Sequence, residues 1–145
     1  MSPRGSCMAQ DLIFAPMGAM ALLTFAVLLF IPIRRFRAGA SGLVKVEDFR
    51  FGESAAVPPD VSIPNRNYMN LLELPTLFFP ACLMFYVAAR VDVVALVTAW
   101  TYVALRAIHS AVHLTYNNVR HRLIVFALSN AVLGALWVLF FLHRR

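Results

Sequence analysis

Arg66, Asn70 and Glu73 lie close to an apolar part of the sequence and are separated by four and three positions. A helix turns by about 100° per residue, so these three side chains would share one helical face. A guanidinium binds carboxylates and a carboxylate binds ammonium groups. This face therefore has the chemistry needed to hold a small charged molecule.

A second polar face is predicted further along the chain. Arg106, His109 and His113 are separated by three and four positions, and Tyr102 and Asn117 extend the same stripe. Ionisable side chains inside an apolar helix are costly to bury, so they are functional candidates by default.

Glu73 and Arg106 are expected to lie in one polar cluster. Each lies inside a predicted helix. At about 1.5 Å per residue, Glu73 is roughly 8 Å from the start of the second helix and Arg106 is roughly 15 Å from the end of the third, and these two ends lie on the same side of the membrane. An anion and a cation at such depths should pair, directly or through a ligand, because neither is stable alone in hydrocarbon. The pair could serve only to fix the register of the helices, or it could line a ligand site.

Three kinds of site compete for these residues. A pocket open to one side of a membrane would suit a ligand that carries both charges, such as a small peptide. A zinc site is disfavoured because Arg106 would repel a dication and Ser110 stands where zinc proteases have glutamate. A serine hydrolase is disfavoured because Ser110 and His109, as neighbours on a helix, do not face each other.

The composition assigns the chain to the integral membrane proteins. Of its 145 residues, 61% are hydrophobic and 14% are charged, whereas a soluble domain is about 45–50% apolar and about 25% charged. The net charge of +6 comes without a nucleic-acid-binding motif, and basic loops are usual in membrane proteins. The predicted partner is the lipid bilayer, and nucleic acid is not expected.

Four segments are long and apolar enough to cross a bilayer, which takes about 20 residues. The predicted helices cover residues 12–33, 68–89, 93–116 and 123–142 of a single membrane domain, with one long polar loop at 34–67. Helices two to four should be antiparallel neighbours because their connections are short. We predict an all-α integral membrane protein, an up-and-down bundle of four transmembrane helices.

Lysine and arginine determine the predicted orientation. Six of them lie in the loop 34–67 and two, Arg120 and Arg122, lie in the loop before the fourth helix. Basic loops stay in the cytoplasm, so both termini are expected outside. The four basic residues on the opposite side are Arg4, Arg90, Arg144 and Arg145.

The four helices, the long first loop and the two polar stripes resemble the MAPEG family. These are the membrane-associated proteins of eicosanoid and glutathione metabolism, which include microsomal glutathione transferases and prostaglandin E synthase. The resemblance covers nearly the whole chain from Leu12 onward. It rests on two motifs, which read Arg66-x-x-x-Asn70-x-x-Glu73 and Arg106-x-x-His109-x-x-x-His113 followed by Arg120 and Arg122.

The resemblance implies a homotrimer that binds glutathione, as a co-substrate, between adjacent subunits at the cytoplasmic side. Arg122 matches, by its spacing from Arg106, the arginine that stabilises the thiolate in the enzymatic members. A cation there would lower the thiol pKa and create the nucleophile. Arg34 or Arg35 would reach the ligand of a neighbouring subunit. The implied glutathione-binding residues are Arg34, Arg35, Arg66, Asn70, Glu73, Arg106, His109 and His113.

Three positions depart from the family pattern. His113 stands where the enzymatic members usually have tyrosine, Leu123 stands where some have a polar residue, and Pro75 follows Glu73 at the second position instead of the third. The pattern resembles a bacterial-type branch, which implies a bacterial cytoplasmic membrane.

Two functions are compatible with the sequence. The first is a glutathione-dependent, or related thiol-dependent, transferase or peroxidase that acts on a lipophilic electrophile. The alternative is a non-catalytic scaffold or ligand-binding protein whose polar stripes hold the trimer together. Transport is disfavoured because the sequence has no inverted repeat.

Overall fold

The structure, a computed structural model, describes residues 9–142. Arg4, Arg144 and Arg145, which enter the orientation count, lie outside that range. Short 3-10 turns precede α1 (Gln10–Ile13), lie in the first loop (Val46–Phe49) and follow α2 (Leu74–Leu77). The α-helices of the described range are α1 (Phe14–Ala40), α2 (Pro59–Leu72), α3 (Phe78–Val87), α4 (Val93–Leu114) and α5 (Val119–Leu142).

Within residues 9–142, four stretches of helix are long and apolar enough to cross a membrane, which confirms the predicted four-span, all-α bundle. The second span contains both α2 and α3. The most extensive packing is between α4 and α5, followed by that between α1 and α2. The spans are Gln10–Ala40, Pro59–Val87, Val93–Leu114 and Val119–Leu142.

The apolar core combines aromatic and small residues with larger aliphatic ones such as Met20, Leu71 and Leu136. Phe78 and Tyr102 are fully buried, and their rings stack with centroids 4.9 Å apart. Ala95 and Ala99 of α4 are at most 1% exposed. Small residues let helices approach closely, which is how helices associate in a bilayer, where there is no hydrophobic driving force between them.

The first helix is longer than predicted, and the loop that follows it is shorter. We expected helix one to end at residue 33, but α1 continues through Arg34 and Arg35 to Ala40. The arginines end the apolar stretch but do not end the helix, because arginine is a good helix former. The helix ends at Ala40, and Gly42 just beyond it has a φ of 72°. This is a left-handed conformation that glycine adopts without strain. The polar segment between α1 and α2 is therefore 41–58 instead of 34–67.

The second span begins nine residues earlier than predicted and is interrupted. It starts at Pro59 instead of residue 68, and α2 ends at Leu72. Pro75 has no N–H group to donate to the carbonyl of Leu71 one turn earlier, and its ring crowds that carbonyl in an α-helix. The chain therefore leaves the α-helix at Glu73, whose ψ is −108°, and resumes in α3.

The fourth helix also begins earlier, at Val119 instead of residue 123. The Asn118 side chain accepts hydrogen bonds from the backbone N–H groups of Arg120 and His121. This is the capping of a helix N-terminus, which the hydropathy pattern does not reveal. Arg120 and Arg122 consequently lie in the first turns of α5 instead of in a loop.

Candidate functional site

Arg106 of α4 is a fully buried cation. Its Nη2 donates a hydrogen bond to the main-chain carbonyl of Asn70 at 2.6 Å, and its guanidinium lies 5.6 Å from the centre of the Phe126 ring. Its Nε and Nη1 are buried without a hydrogen-bond partner among residues 9–142. Unsatisfied buried donors are costly, and more so on a charged group. This guanidinium is therefore suited to receive an anionic ligand.

His113 and Asn117 hold the Arg122 side chain at the start of α5. Arg122 Nη1 lies 2.8 Å from Asn117 Oδ1 and 3.3 Å from His113 Nε2. A guanidinium can only donate, so both partners accept through a lone pair. In this arrangement the His113 ring is neutral and carries its proton on Nδ1. One edge of the Arg122 guanidinium is thus held by α4 and by the α4–α5 turn.

A cavity of about 210 Å³ joins residues of three helices. Asn70 comes from α2, His109 from α4 and Arg122 from α5. The ring of Phe126 forms an apolar wall, 5.7 Å from the His109 ring between centroids. The remaining lining residues are Val119 and Leu123. The cavity thus combines a cation, an imidazole and an amide with an apolar wall.

Two buried polar residues support this cavity and were not expected from the sequence. Asn67 is fully buried and Ser110 is 2% exposed, and the Ser110 hydroxyl donates to Asn67 Oδ1 at 3.3 Å. Asn67 lies three residues before Asn70, so it extends the α2 stripe once the helix is known to begin at Pro59. Phe126 was also missed. Its spacing of four from Arg122 would have placed it on the same face of α5.

Three predicted site residues, Asn70, His109 and Arg122, line this cavity. Arg106 and His113 are buried against lining residues, and the other four lie apart from it in a single chain. Arg34 is 4.0 Å from Asp60 and faces a separate cavity of about 190 Å³. Arg35 forms an ion pair with Glu53 at 2.9 Å. Arg66 and Glu73 are exposed on the surface of the chain.

The direct ion pair between Glu73 and Arg106 is not formed within the chain. The ion pairs of the described range join Arg34 to Asp60 and Arg35 to Glu53, and Arg106 binds the main chain of Asn70 instead. The break in the helix at Glu73 leaves its side chain exposed. A contact through a ligand remains a prediction.

Asn117 is a suitable position for testing the geometry of the turn between α4 and α5, which precedes Arg122. Its φ of 47° lies in the left-handed region, where alanine costs about 1–2 kcal/mol and glycine is not strained. Both variants lose the hydrogen bond from Arg122. We expect Asn117→Ala to lower the free energy of unfolding by about 1–2 kcal/mol more than Asn117→Gly does, because only alanine is strained at this φ. Thermal unfolding in detergent would measure both. Equal melting temperatures for the two variants would contradict the assignment of the turn.

These features define a class: an integral membrane protein of four spans, with a polar cavity between α2, α4 and α5. The buried Arg106 contacts two of the cavity's lining residues, Asn70 and Phe126. A model of the MAPEG family matches residues 13–142. The chain therefore belongs to the MAPEG family, and the resemblance found in the sequence is confirmed. No curated protein and no solved structure matched the chain when each was searched.

Proposed function

We propose that the protein is a glutathione-dependent transferase or peroxidase that acts on lipophilic electrophiles. The observation that carries this proposal is a polar cavity lined by one cation, Arg122, with a second, buried cation, Arg106, against its lining residues. Arg106 has two buried donors without a partner among the described residues, and Arg122 is held at the cavity wall by His113 and Asn117.

Glutathione carries the groups that this set of residues would bind. Its carboxylates complement the guanidinium of Arg106 and the exposed Arg66, since arginine binds carboxylates through two parallel hydrogen bonds. Its ammonium group complements the carboxylate of Glu73. Its thiol would lie beside Arg122, whose charge stabilises the thiolate. His109 and Asn70 would line the pocket between these charges.

The site would be completed by a second copy of the chain, as in a homotrimer. The single-chain cavity of about 210 Å³ is smaller than the about 300–1,000 Å³ usual for ligand sites. Glu73 is exposed within the second span, and an ionisable residue facing lipid is costly. A neighbouring chain and a bound ligand would cover it.

Arg34 is better placed than Arg35 to act on the ligand of a neighbouring chain. The Arg34 side chain is 41% exposed and its contact with Asp60 is long, at 4.0 Å. Arg35 is held by Glu53 at 2.9 Å. The basic end of the bundle, defined by Arg34, Arg66 and Arg122, would face the cytoplasm of a bacterial-type inner membrane, where glutathione or a related thiol is supplied.

In the transferase reaction the thiolate beside Arg122 attacks an electrophilic carbon. The S–C bond forms as the electron pair of the leaving group or π bond is displaced, and the thiol proton passes to water. With a lipid hydroperoxide the thiolate attacks the terminal oxygen and the O–O bond breaks, and the lipid alkoxide takes a proton from water and leaves as the alcohol. A second thiol then reduces the sulfenic product, giving a disulfide and water. The bilayer would deliver the apolar substrate.

Glutathione binding tests this proposal directly. We expect the detergent-purified protein to bind glutathione in isothermal titration calorimetry, and Glu73→Gln to bind it about ten-fold more weakly because the ammonium loses a charged partner. Glu47→Gln is the matched control, since Glu47 is an exposed carboxylate in the first loop. Absence of binding by a well-folded protein would reject the proposal.

The non-catalytic alternative is supported by a different observation. Arg106 binds the backbone of Asn70 and Ser110 binds Asn67, so polar residues of α4 fasten α2 to it. If the protein binds glutathione but neither conjugates it to a lipophilic electrophile nor reduces a lipid hydroperoxide with it, the scaffold or ligand-binding function would be favoured.

A further inference from the structure

A long apolar groove lies on α1, and its lining shares no residue with that of the cavity beside Arg122. Its volume is about 540 Å³. One wall is the α1 surface from Leu28 through Phe36 to Gly39, and the other is the first loop, with Val44 and Phe49. Lys45 lies at the groove as well and is exposed.

The groove extends along α1 from the depth of the acyl chains to the level of the headgroups. The apolar stretch of residues 12–33 would be about 33 Å long at about 1.5 Å per residue, which fills a hydrocarbon core of about 30 Å. Leu28 therefore lies within the core, whereas Gly39 lies beyond it. The lower part of the groove faces acyl chains and the upper part faces phosphates.

The loop wall of the groove is built by specific contacts. Arg35 pairs with Glu53 at 2.9 Å, and its guanidinium lies 4.5 Å from the centre of the Phe49 ring. Asp48 accepts hydrogen bonds from the backbone N–H of Lys45 and from the Ser54 hydroxyl. Glu53 offsets the charge of Arg35, so Lys45 supplies the positive charge at the headgroup level of the groove.

We propose that this groove binds one acyl chain of an anionic bilayer phospholipid, whose phosphate pairs with the ammonium group of Lys45. The apolar floor lies where an acyl chain lies, and the cation lies where a phosphate lies. On the same loop Val46 is 84% exposed and Phe51 is 92% exposed. Exposed apolar residues beside basic ones are typical of segments that rest on a membrane surface. This lipid site does not depend on the proposed reaction with glutathione.

Gly39 allows the groove to be filled without disturbing the helix. A Cβ added at Gly39 meets no atom within 4 Å, and the same is true of Gly18 on the same helix. Gly39→Leu therefore places a side chain in the groove, and Gly18→Leu is the matched control outside it. Native mass spectrometry of protein in detergent with added phosphatidylglycerol would count the lipids bound per chain.

We expect wild type and Gly18→Leu to retain one phosphatidylglycerol per chain, and Gly39→Leu to bind it at least ten-fold more weakly. Lys45→Gln should lose about five-fold in preference for phosphatidylglycerol over phosphatidylcholine, the contribution of one basic residue near an anionic surface.

Three results would overturn the proposal. Gly39→Leu could bind phosphatidylglycerol as wild type does. It could change the number of subunits in native mass spectrometry, which would make the groove an interface between copies. It could also retain the lipid and lose only turnover of a lipophilic electrophile, which would make the groove a substrate site. The lipid count requires no thiol, so its result is separate from that of the glutathione titration.

Discussion

Arg122→Ala is expected to lower the rate of glutathione conjugation about 100-fold or more and to leave glutathione affinity within a few-fold of wild type. Loss of one preorganised group that stabilises developing charge costs about 10²–10³ in rate. In the proposed reaction the thiolate is that charge. The remaining ligand contacts, through Arg106, Glu73 and Asn70, do not involve Arg122, so binding should survive.

The measurement is a steady-state conjugation assay with a lipophilic electrophile, combined with calorimetric titration of glutathione. Absorbance of the bound thiolate near the ultraviolet edge would report the thiol directly, and Arg122→Ala should reduce it. Arg120→Ala is the matched control. Arg120 lies in the same turns of α5, is exposed and does not line the cavity.

Two results would argue against a role of Arg122 at the thiolate. An equal fall in turnover for Arg120→Ala would show that general loss of positive charge is responsible. Loss of glutathione binding in Arg122→Ala, with turnover at saturation unchanged, would place this arginine in substrate binding alone.

Arg106→Met should abolish most of the glutathione affinity and also destabilise the protein. Removing one partner of a buried charged hydrogen bond costs about 2–5 kcal/mol, which is about 30-fold or more in affinity. The carbonyl of Asn70 also loses the donor at 2.6 Å. A buried acceptor without a partner costs about 1–3 kcal/mol, so the melting temperature should fall as well.

Arg106→Lys separates the two effects. Lysine keeps the positive charge but lacks the planar fork that binds a carboxylate through two hydrogen bonds. We expect this variant to recover more stability than affinity when thermal unfolding and glutathione titration are compared. If Arg106→Met binds glutathione like wild type and only its stability falls, Arg106 is a structural tie between α2 and α4, as in the non-catalytic alternative.

The membrane class and the number of spans were predictable because hydropathy is a local property of the chain. Each span is a run of apolar residues, and the structure places all four as helices. The helix ends were less predictable. α1 continues through Arg34 and Arg35 because charge does not terminate a helix, and α5 starts at Val119 because the Asn118 side chain caps it.

The candidate site was predictable only in part. Periodicity placed His109 and His113 on the same face as Arg106, and the structure buries all three. It also places Phe126 on the Arg122 face of α5, but it could not show that this ring forms a wall of the site, since the ring approaches the site only after α5 packs on α4. It also could not place the buried amide of Asn67, because the loop was predicted to extend to residue 67.

The sequence by itself determined that this is a four-span membrane protein with two polar helical faces, because apolar runs and helical periodicity are read from neighbouring residues. Only the tertiary structure decided which charged and polar groups meet. It directs Arg35 to Glu53, leaves Glu73 on the surface and brings Arg122 to His113. The physical reason is that charge pairing depends on where each helix begins and ends and on which helix it packs against, and these are properties of the assembled bundle.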